Sequence, residues 1–169
     1  TTTSWSHDST SGLLNSVNPA GVGATTITRA ARVLANGLTF YDVTGISYPD
    51  GTSESFTHDA NGNVLTWTDR RTQTWTMTYN ARGQVLTVTN PDTGLTTYTY
   101  NPDGTAATTT DNAMNTTTYG YDSLRRLNLI TYADATTESL AYDAMDRVIS
   151  NVNEKTQAWT GIYDDNGNL

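Results

Sequence analysis

The sequence predicts an all-β fold, in which tandem 21-residue β-hairpin repeats form a continuous twisted antiparallel sheet. Composition, an exact repeat and a strict alternation of residue types support this prediction. The 169 residues include 35 threonines, 10 tyrosines and 4 tryptophans, and these residue types favour half-buried strands. Glycine, asparagine and aspartate, which favour turns, are also abundant. Composition therefore indicates strands and turns rather than helices.

A short motif, Tyr or His followed by Asp or Asn, recurs along the chain at a fixed spacing. Every interval between copies is 21 residues, and the first residues are His58, Tyr79, Tyr100, Tyr121, Tyr142 and Tyr163. A constant period is typical of repeat proteins, in which each repeat buries its apolar side against its neighbours. We expect these six residues to form a ladder along one face of the sheet.

Each repeat is predicted to contain two strands and two turns. In one copy, Trp75, Met77 and Tyr79 alternate with threonines, so the three side chains share one face of a strand. The turn 80–83 follows, where Gly83 permits a positive φ, and a second strand is expected over 84–89. The native twist of such a sheet predicts an arc of a spiral shell or a solenoid-like array.

The first third of the chain is less regular than the rest. We predict a degenerate repeat plus an irregular insertion over 1–37, and a regular repeat array over 38–169. Residues 6–14 resemble a repeat with one extra residue before the glycine, and 41–45 resemble another that is out of register. Residues 19–37 are expected to form an inserted loop with a short helical turn.

Composition also excludes several functions. The net charge of −8 argues against a nucleic-acid partner, because phosphate backbones require a basic surface. The absence of cysteine excludes disulfides, thiolate metal sites and a cysteine nucleophile. No apolar run approaches the roughly 18 residues needed to span a bilayer, so membrane insertion is not expected.

Residues that could support catalysis or metal binding have simpler explanations. His7 and His58 both occupy the Tyr position of a repeat, and we expect them to replace a ladder tyrosine. A triad built on His58 and Asp59 lacks a Gly-x-Ser-x-Gly elbow, and 59–63 lacks the downstream Glu of an EF-hand. We therefore expect no catalytic residue, no metal site and no cofactor, and the acidic turns are interpreted as Asx turns.

Aromatic and threonine-rich faces leave two binding alternatives open. Trp67, Trp75 and Trp159 lie in predicted strands, where we expect them to be inward core residues, although a sugar-stacking platform is the alternative. The threonine faces could carry glycans, and Asn115 begins an Asn-Thr-Thr glycosylation sequon.

Several copies of the motif resemble the YD-repeat, or Rhs-repeat, family of secreted bacterial proteins, with related repeats in teneurin-like proteins. The segments that carry the resemblance are Tyr121-Asp122-Ser123-Leu124-Arg125-Arg126-Leu127 and Tyr48-Pro49-Asp50-Gly51-Thr52. It covers residues 38–169 well and 4–17 weakly. The resemblance implies a β-ribbon that winds into a hollow shell. The Asp-Pro-x-Gly-Leu pattern of the self-cleaving segment found in many bacterial members does not occur here.

Three functional hypotheses follow from these observations. The first is a non-enzymatic wall segment of a β-shell, in a secreted or cell-surface protein. The second is an extracellular filament, joined head to tail through terminal half-repeats, because Gly167-Asn168-Leu169 followed by Thr1-Thr2-Thr3-Ser4-Trp5 resembles residues 62–67. The third is a carbohydrate-binding module. The expected partners are accordingly neighbouring repeats, copies of the chain itself, or a polysaccharide.

Overall fold

The chain folds into strands connected in sequence order, as the 21-residue period predicts. The computed structural model describes residues 2–164 and 167. Within these residues there are 15 strands and no helix, and the sheet order runs from β1 to β15 without a crossover. The all-β antiparallel prediction is confirmed.

The chain divides into two compact units, Thr1–Gly94 and Leu95–Leu169. Eight strands belong to the first unit, and within it each strand pairs antiparallel with the next. They are β1 (Ser4–His7), β2 (Leu14–Asn18), β3 (Thr25–Val33), β4 (Thr39–Ser47), β5 (Ser53–His58), β6 (Val64–Thr68), β7 (Thr74–Tyr79) and β8 (Val85–Thr89).

The second unit contains seven strands with the same alternation of lengths as β5 to β8. Consecutive strands within it are again antiparallel. They are β9 (Leu95–Tyr100), β10 (Ala106–Thr110), β11 (Thr116–Tyr121), β12 (Leu127–Thr131), β13 (Thr137–Tyr142), β14 (Val148–Val152) and β15 (Ala158–Thr160).

One turn geometry recurs between the strands, and the turn after β7 illustrates it. The Asn80 amide donates to the Gln84 carbonyl at 2.9 Å, and the Gly83 amide donates to the Asn80 carbonyl at 3.0 Å. The Asn80 side-chain oxygen accepts from the amides of Arg82 and Gln84, at 2.9 and 3.1 Å. Gly83 has φ 76°, so the turn closes through a residue in the left-handed region, as predicted.

Seven turns place a residue other than glycine at this left-handed position. The residues are Thr72, Thr93, Met114, Arg125, Ala135, Asp146 and Thr156, with φ between 60° and 67°. A side chain with a Cβ in the left-handed region costs about 1–2 kcal/mol. The fold therefore tolerates local strain at these turns, five of which follow one another from Met114 to Thr156, because the surrounding ladder imposes the conformation.

We expect Met114→Gly to raise the free energy of unfolding by about 0.5–1 kcal/mol, because it relieves the left-handed strain while adding some chain entropy to the unfolded state. Met114 is 80% exposed, so little packing is lost. The matched control is Gly51→Ala, where φ is 81° and an added Cβ would have no atom within 4 Å. That change should destabilise by about 1 kcal/mol. Urea denaturation measures both, and a destabilised Met114→Gly would contradict the strain argument.

A β-bulge interrupts the pairing at the ends of β1, β5, β7, β9, β11 and β13, and a further one lies within the β3–β4 hairpin. In the β7–β8 hairpin, Tyr79 pairs with Val85 but Thr78 pairs with Thr87, so Leu86 is unpaired. The same irregularity occurs next to His7, Arg29, His58, Ala106, Tyr121 and Tyr142. A bulge increases local twist and re-aims the neighbouring side chains.

The inserted loop expected over 19–37 is wrong, because Thr25–Val33 is strand β3 and pairs along its length with β4. Cross-strand pairing outweighs the helix-forming Ala and Arg residues that suggested a helical turn. Residues 41–45, expected as a degenerate repeat turn, lie inside β4 rather than at a strand end. The predicted boundary between 37 and 38 stays a prediction.

The strands bury less hydrophobic side-chain surface than the strands of a packed domain do. No hydrophobic side chain among the described residues is fully buried, and β5 and β7 alternate between half-buried and exposed positions. The expectation that the tryptophans are core residues is therefore wrong for this sheet, since Trp67 and Trp75 are half-buried and Trp159 is exposed. One layer of strands has no second layer to cover its apolar side.

Candidate functional site

Aromatic side chains line one side of the first unit, which we call the aromatic face. Phe56, Trp67 and Trp75 lie directly opposite one another across β5, β6 and β7, and Met77 and Tyr79 continue the same side of β7. The rings of Trp67 and Trp75 are stacked, with centroids 4.5 Å apart and an interplanar angle of 19°. The aromatic face is thus a contiguous, half-buried surface.

The Trp67 indole contains a polar atom without a hydrogen bond. Its Nε1 is buried and has no hydrogen-bond partner among the described residues. An unsatisfied buried donor of this kind costs about 1–3 kcal/mol. Trp67 therefore contributes its apolar ring to the sheet and not its N–H.

Repeat tyrosines donate hydrogen bonds to the backbone of the preceding strand. Their hydroxyls reach the carbonyl 15 positions earlier, with Tyr79 to Val64 at 2.7 Å, Tyr142 to Leu127 at 2.7 Å and Tyr163 to Val148 at 3.0 Å. Each acceptor immediately precedes the unpaired residue of a bulge. The tyrosine supplies a bond where the regular ladder is interrupted. Burial raises the pKa of Tyr79, which keeps its hydroxyl protonated as a donor.

The remaining members of the expected ladder occupy equivalent strand positions. Tyr100 and Tyr121 end β9 and β11, opposite Ala106 and Leu127. His58 ends β5 opposite Val64, as Tyr79 ends β7 opposite Val85. The role of the six residues as one functional ladder stays a prediction.

An arginine braces successive turns in the second unit. Arg126 donates to the Asp122 carboxylate of its own turn at 2.7 Å, and to the Asp143 carbonyl and the Asp146 carboxylate of the next repeat's turn at 3.0 and 2.7 Å. Its guanidinium also lies 4.7 Å from the centre of the Tyr142 ring. One side chain therefore joins two turns that are separated by a full repeat.

Other arginines repeat parts of this arrangement. Arg147 binds Asp143 at 2.7 Å and lies 4.4 Å from the Tyr163 ring. In the first unit, Arg70 binds Asp50 and lies 4.3 Å from the Tyr48 ring. Sequence reasoning missed these braces, although Arg126 and Arg147 both follow a motif aspartate by four residues and share one column of the repeat.

The turn aspartates bind their own turns and explain why the acidic sequences resemble a metal loop. The pKa of Asp59 is lowered, mainly by the hydrogen bond from the Asn63 side chain and further by those from the Asn63 and Asn61 amides. Burial of the carboxylate partly opposes this effect. In the turn between β10 and β11, hydrogen bonds from the Asn115 side chain and amide lower the pKa of Asp111. Among the described residues, no group of three or more His, Asp or Glu side chains could hold a metal ion. Residues 165, 166 and 168 of the last acidic turn lie outside the described residues.

The other side of the sheet, which we call the threonine face, is held by hydroxyl pairs. Cross-strand hydroxyl distances of 2.6 Å occur at Thr57–Thr66, Thr78–Thr87 and Thr99–Thr108, and longer ones of 2.9 and 2.8 Å at Thr68–Thr74 and Thr110–Thr116. Asn115, the expected glycosylation site, is exposed and donates from its side chain to Asp111 at 2.9 Å. Its glycosylation stays a prediction.

The residues expected to stack on sugars belong to both units, Trp67 and Trp75 to the first and Trp159 to the second. Trp67 and Trp75 cover one face of each other's ring. Trp159 is 41% exposed and lies on β15 of the second unit, opposite Asn151. Sugar stacking at these three residues stays a prediction.

The described residues also include no helix with the length and apolar character required to cross a membrane.

The segment from the last residue of β5 to the first residue of β9 is similar to a recognised sequence family. Residues 58–95 match the RHS Repeat family model. The match covers two motif copies, beginning at His58 and Tyr79, and it confirms the resemblance predicted from the sequence. No curated protein matches the chain in sequence.

Solved structures of Tc toxin proteins resemble most of the chain in fold. A crystal structure of TcdB2-TccC3 is similar over 90% of this chain, at 18% identity and a TM-score of 0.67. The Photorhabdus luminescens Tc holotoxin pore, which contains TccC3, is similar over 89%, at 17% identity and a TM-score of 0.55. The chain spans 9% and 10% of those chains. At this identity the likeness establishes the fold.

Proposed function

We propose that the chain is a non-enzymatic wall segment of a β-shell, in a secreted or cell-surface RHS-type protein. One observation carries the proposal: a single layer of consecutive antiparallel strands has an aromatic face on which no described hydrophobic side chain is fully buried. Such a surface is expected where a sheet encloses a space rather than packing into a core.

The arginine braces and the tyrosine hydrogen bonds join successive repeats, as a structural wall requires. Arg126 links the turns of successive repeats, and tyrosine hydroxyls close the bulges that increase twist. Each repeat stabilises mainly its neighbours, so a wall can be extended by adding repeats without redesigning a core. The similarity to about a tenth of the TcdB2-TccC3 chain supports a segment of a larger wall.

A self-assembling filament is the second candidate, favoured by the first and last strands of the sheet. Among the described residues, β1 and β15 each have one neighbouring strand, and unpaired strand edges are templates for pairing with another chain. The half-repeats first expected to form this joint include Thr1, Asn168 and Leu169, which lie outside the described residues.

Electron microscopy in negative stain, with light-scattering mass at several concentrations, separates the two candidates. A wall segment should remain a compact monomer, or form irregular low-order aggregates that bind a hydrophobic dye through the aromatic face. A filament should form fibres of uniform width above a critical concentration. The variant Trp159→Pro, in the edge strand β15, should abolish fibres, whereas Ser123→Pro in an exposed turn should not. Uniform fibres sensitive only to the edge proline would reject the wall proposal.

A further inference from the structure

The hairpin of β3 and β4 projects beyond the strands on either side of it. Both strands have nine residues, whereas β2 and β5 have five and six. β3 pairs with β2 only at Thr25 and Thr26, although it pairs with β4 from Thr26 to Val33. The outer edge of β3 from Ile27 to Val33 therefore has no neighbouring strand.

A cleft follows this unpaired edge. Its volume is about 580 Å³, and its walls come from the β1–β2 hairpin, from β3 and from Tyr41 of β4. Ile27 and Thr28 both line it, although consecutive strand residues point to opposite sides of a sheet. The cleft therefore opens into the gap between the two hairpins and not onto one face. Its volume lies within the range of ligand-binding clefts, about 300–1,000 Å³.

The outer edge of β4 is less open than that of β3. The Arg32 guanidinium binds Asp42 on β4 and lies against the turn at Gly62, where an added Cβ would meet it. The second cavity, which lies beside β4, has a volume of about 310 Å³. Of the two projecting edges, β3 thus has the larger free space.

One cation in the larger cleft has no carboxylate partner. Arg29 lines the cleft and is half-buried, and among the described residues it forms no ion pair. The hydrogen bond that its guanidinium donates to the Asn15 side chain is long, at 3.4 Å. Asp8 also lines the cleft, but its carboxylate accepts from the Ser11 amide, the Ser11 hydroxyl and the Thr10 amide.

We propose that the β3 edge binds an extended peptide that carries an acidic side chain. In an antiparallel ladder, alternate residues direct their N–H and C=O groups to the same edge, so β3 presents a row of backbone groups to such a peptide. The peptide adds as a strand between the two hairpins, and its main chain supplies most of the affinity. Its carboxylate pairs with Arg29, which supplies charge selectivity. The exposed Val33 at the end of the edge offers an apolar contact.

The probe is a labelled heptapeptide, acetyl-Thr-Val-Thr-Asp-Thr-Val-Thr-amide, which reads the same in both directions and so does not presuppose an orientation. Two methylated forms carry N-methyl groups on the even or on the odd residues. Because amides of one parity face one edge, only one form should lose binding, by at least tenfold, and the other should retain it. Fluorescence anisotropy with the full chain measures all three peptides.

Protein variants locate the site. Arg29→Gln should weaken binding by about fivefold, and replacing the peptide Asp by Asn should have the same effect. Arg71→Gln is the matched control, since Arg71 is an exposed turn arginine away from the cleft. Amide exchange should show new protection on alternate residues from Arg29 to Val33. Absence of binding, equal loss with both methylated peptides, or equal effects of the two arginine variants would each overturn the proposal. None of these three outcomes bears on the wall-segment proposal, which is tested by particle shape.

Discussion

Replacing Trp75 by alanine is expected to lower the free energy of unfolding by about 3 kcal/mol, the largest effect of any single substitution in the first unit. Removing a large aromatic side chain from a packed position costs about 3–5 kcal/mol, and the half-buried setting places Trp75 at the lower end. Part of the loss comes from the ring of Trp67, which lies 4.5 Å away and would lose its stacking partner.

A double-mutant cycle measures the stacking itself. Trp67→Ala, Trp75→Ala and the double variant should show a coupling energy of about 1 kcal/mol, because aromatic pairs contribute beyond their buried area. Met77 and Val88, which are directly opposite on β7 and β8, form the control pair. Their coupling should be smaller, about 0.5 kcal/mol or less. Urea denaturation measures both cycles, and additive effects at the tryptophans would show that the stacked geometry contributes nothing.

A further variant tests the buried indole N–H of Trp67, which has no hydrogen-bond partner among the described residues. Trp67→Phe retains an aromatic ring against Trp75 and removes the buried donor that lacks a partner. Relative to the unsubstituted protein we expect it to cost less than about 1 kcal/mol, because the loss of ring area is offset by removal of an unsatisfied buried donor. A phenylalanine variant that loses about 2 kcal/mol or more would indicate that the indole N–H contributes to the fold.

Replacing Tyr142 by alanine is expected to destabilise the chain by about 2–3 kcal/mol, the largest effect in the second unit. The change removes a half-buried ring, its contact with the Arg126 guanidinium at 4.7 Å and its hydrogen bond to the Leu127 carbonyl at 2.7 Å. Ring burial accounts for most of the loss, and the cation–π contact adds about 0.5–1 kcal/mol.

Tyr142→Phe isolates the hydroxyl. It retains the ring and should cost about 1 kcal/mol, the net value of a typical hydrogen bond. Tyr119→Phe is the control, because the Tyr119 hydroxyl makes only a long contact of 3.4 Å to the Thr109 hydroxyl. That variant should be close to neutral. If the two phenylalanine variants are equally stable in urea denaturation, the bond at the bulge does not stabilise the sheet.

The contribution of the Arg126 ion pairs to stability can be compared with that of the Tyr142 ring. Arg126 contacts both Asp122 and Asp146 with a side chain that is 21% exposed. Each of these pairs is partly solvent-screened, so the ionic contribution is smaller than that of the Tyr142 ring. This ranking follows from the physical terms involved: burial of a ring exceeds the net value of an ion pair near water.

The sequence by itself determined the repeat and its local geometry. Strands such as β7 follow from alternation, and the turn at Asn80 follows from hydrogen bonds among residues at most four positions apart. These features depend on local backbone preferences, which are written in a short window of residues. The 21-residue period adds the information that neighbouring hairpins are equivalent.

Only the tertiary structure decided which distant groups meet. β3 forms because β4 pairs with it, although its sequence shows no clear strand alternation. The bond from Tyr79 to the Val64 carbonyl depends on the register imposed by a bulge. The stacking of Trp67 on Trp75 depends equally on register, since a shift of one residue would place the rings on opposite faces. Register and side-chain reach arise from contacts between strands, and no single strand's sequence contains them.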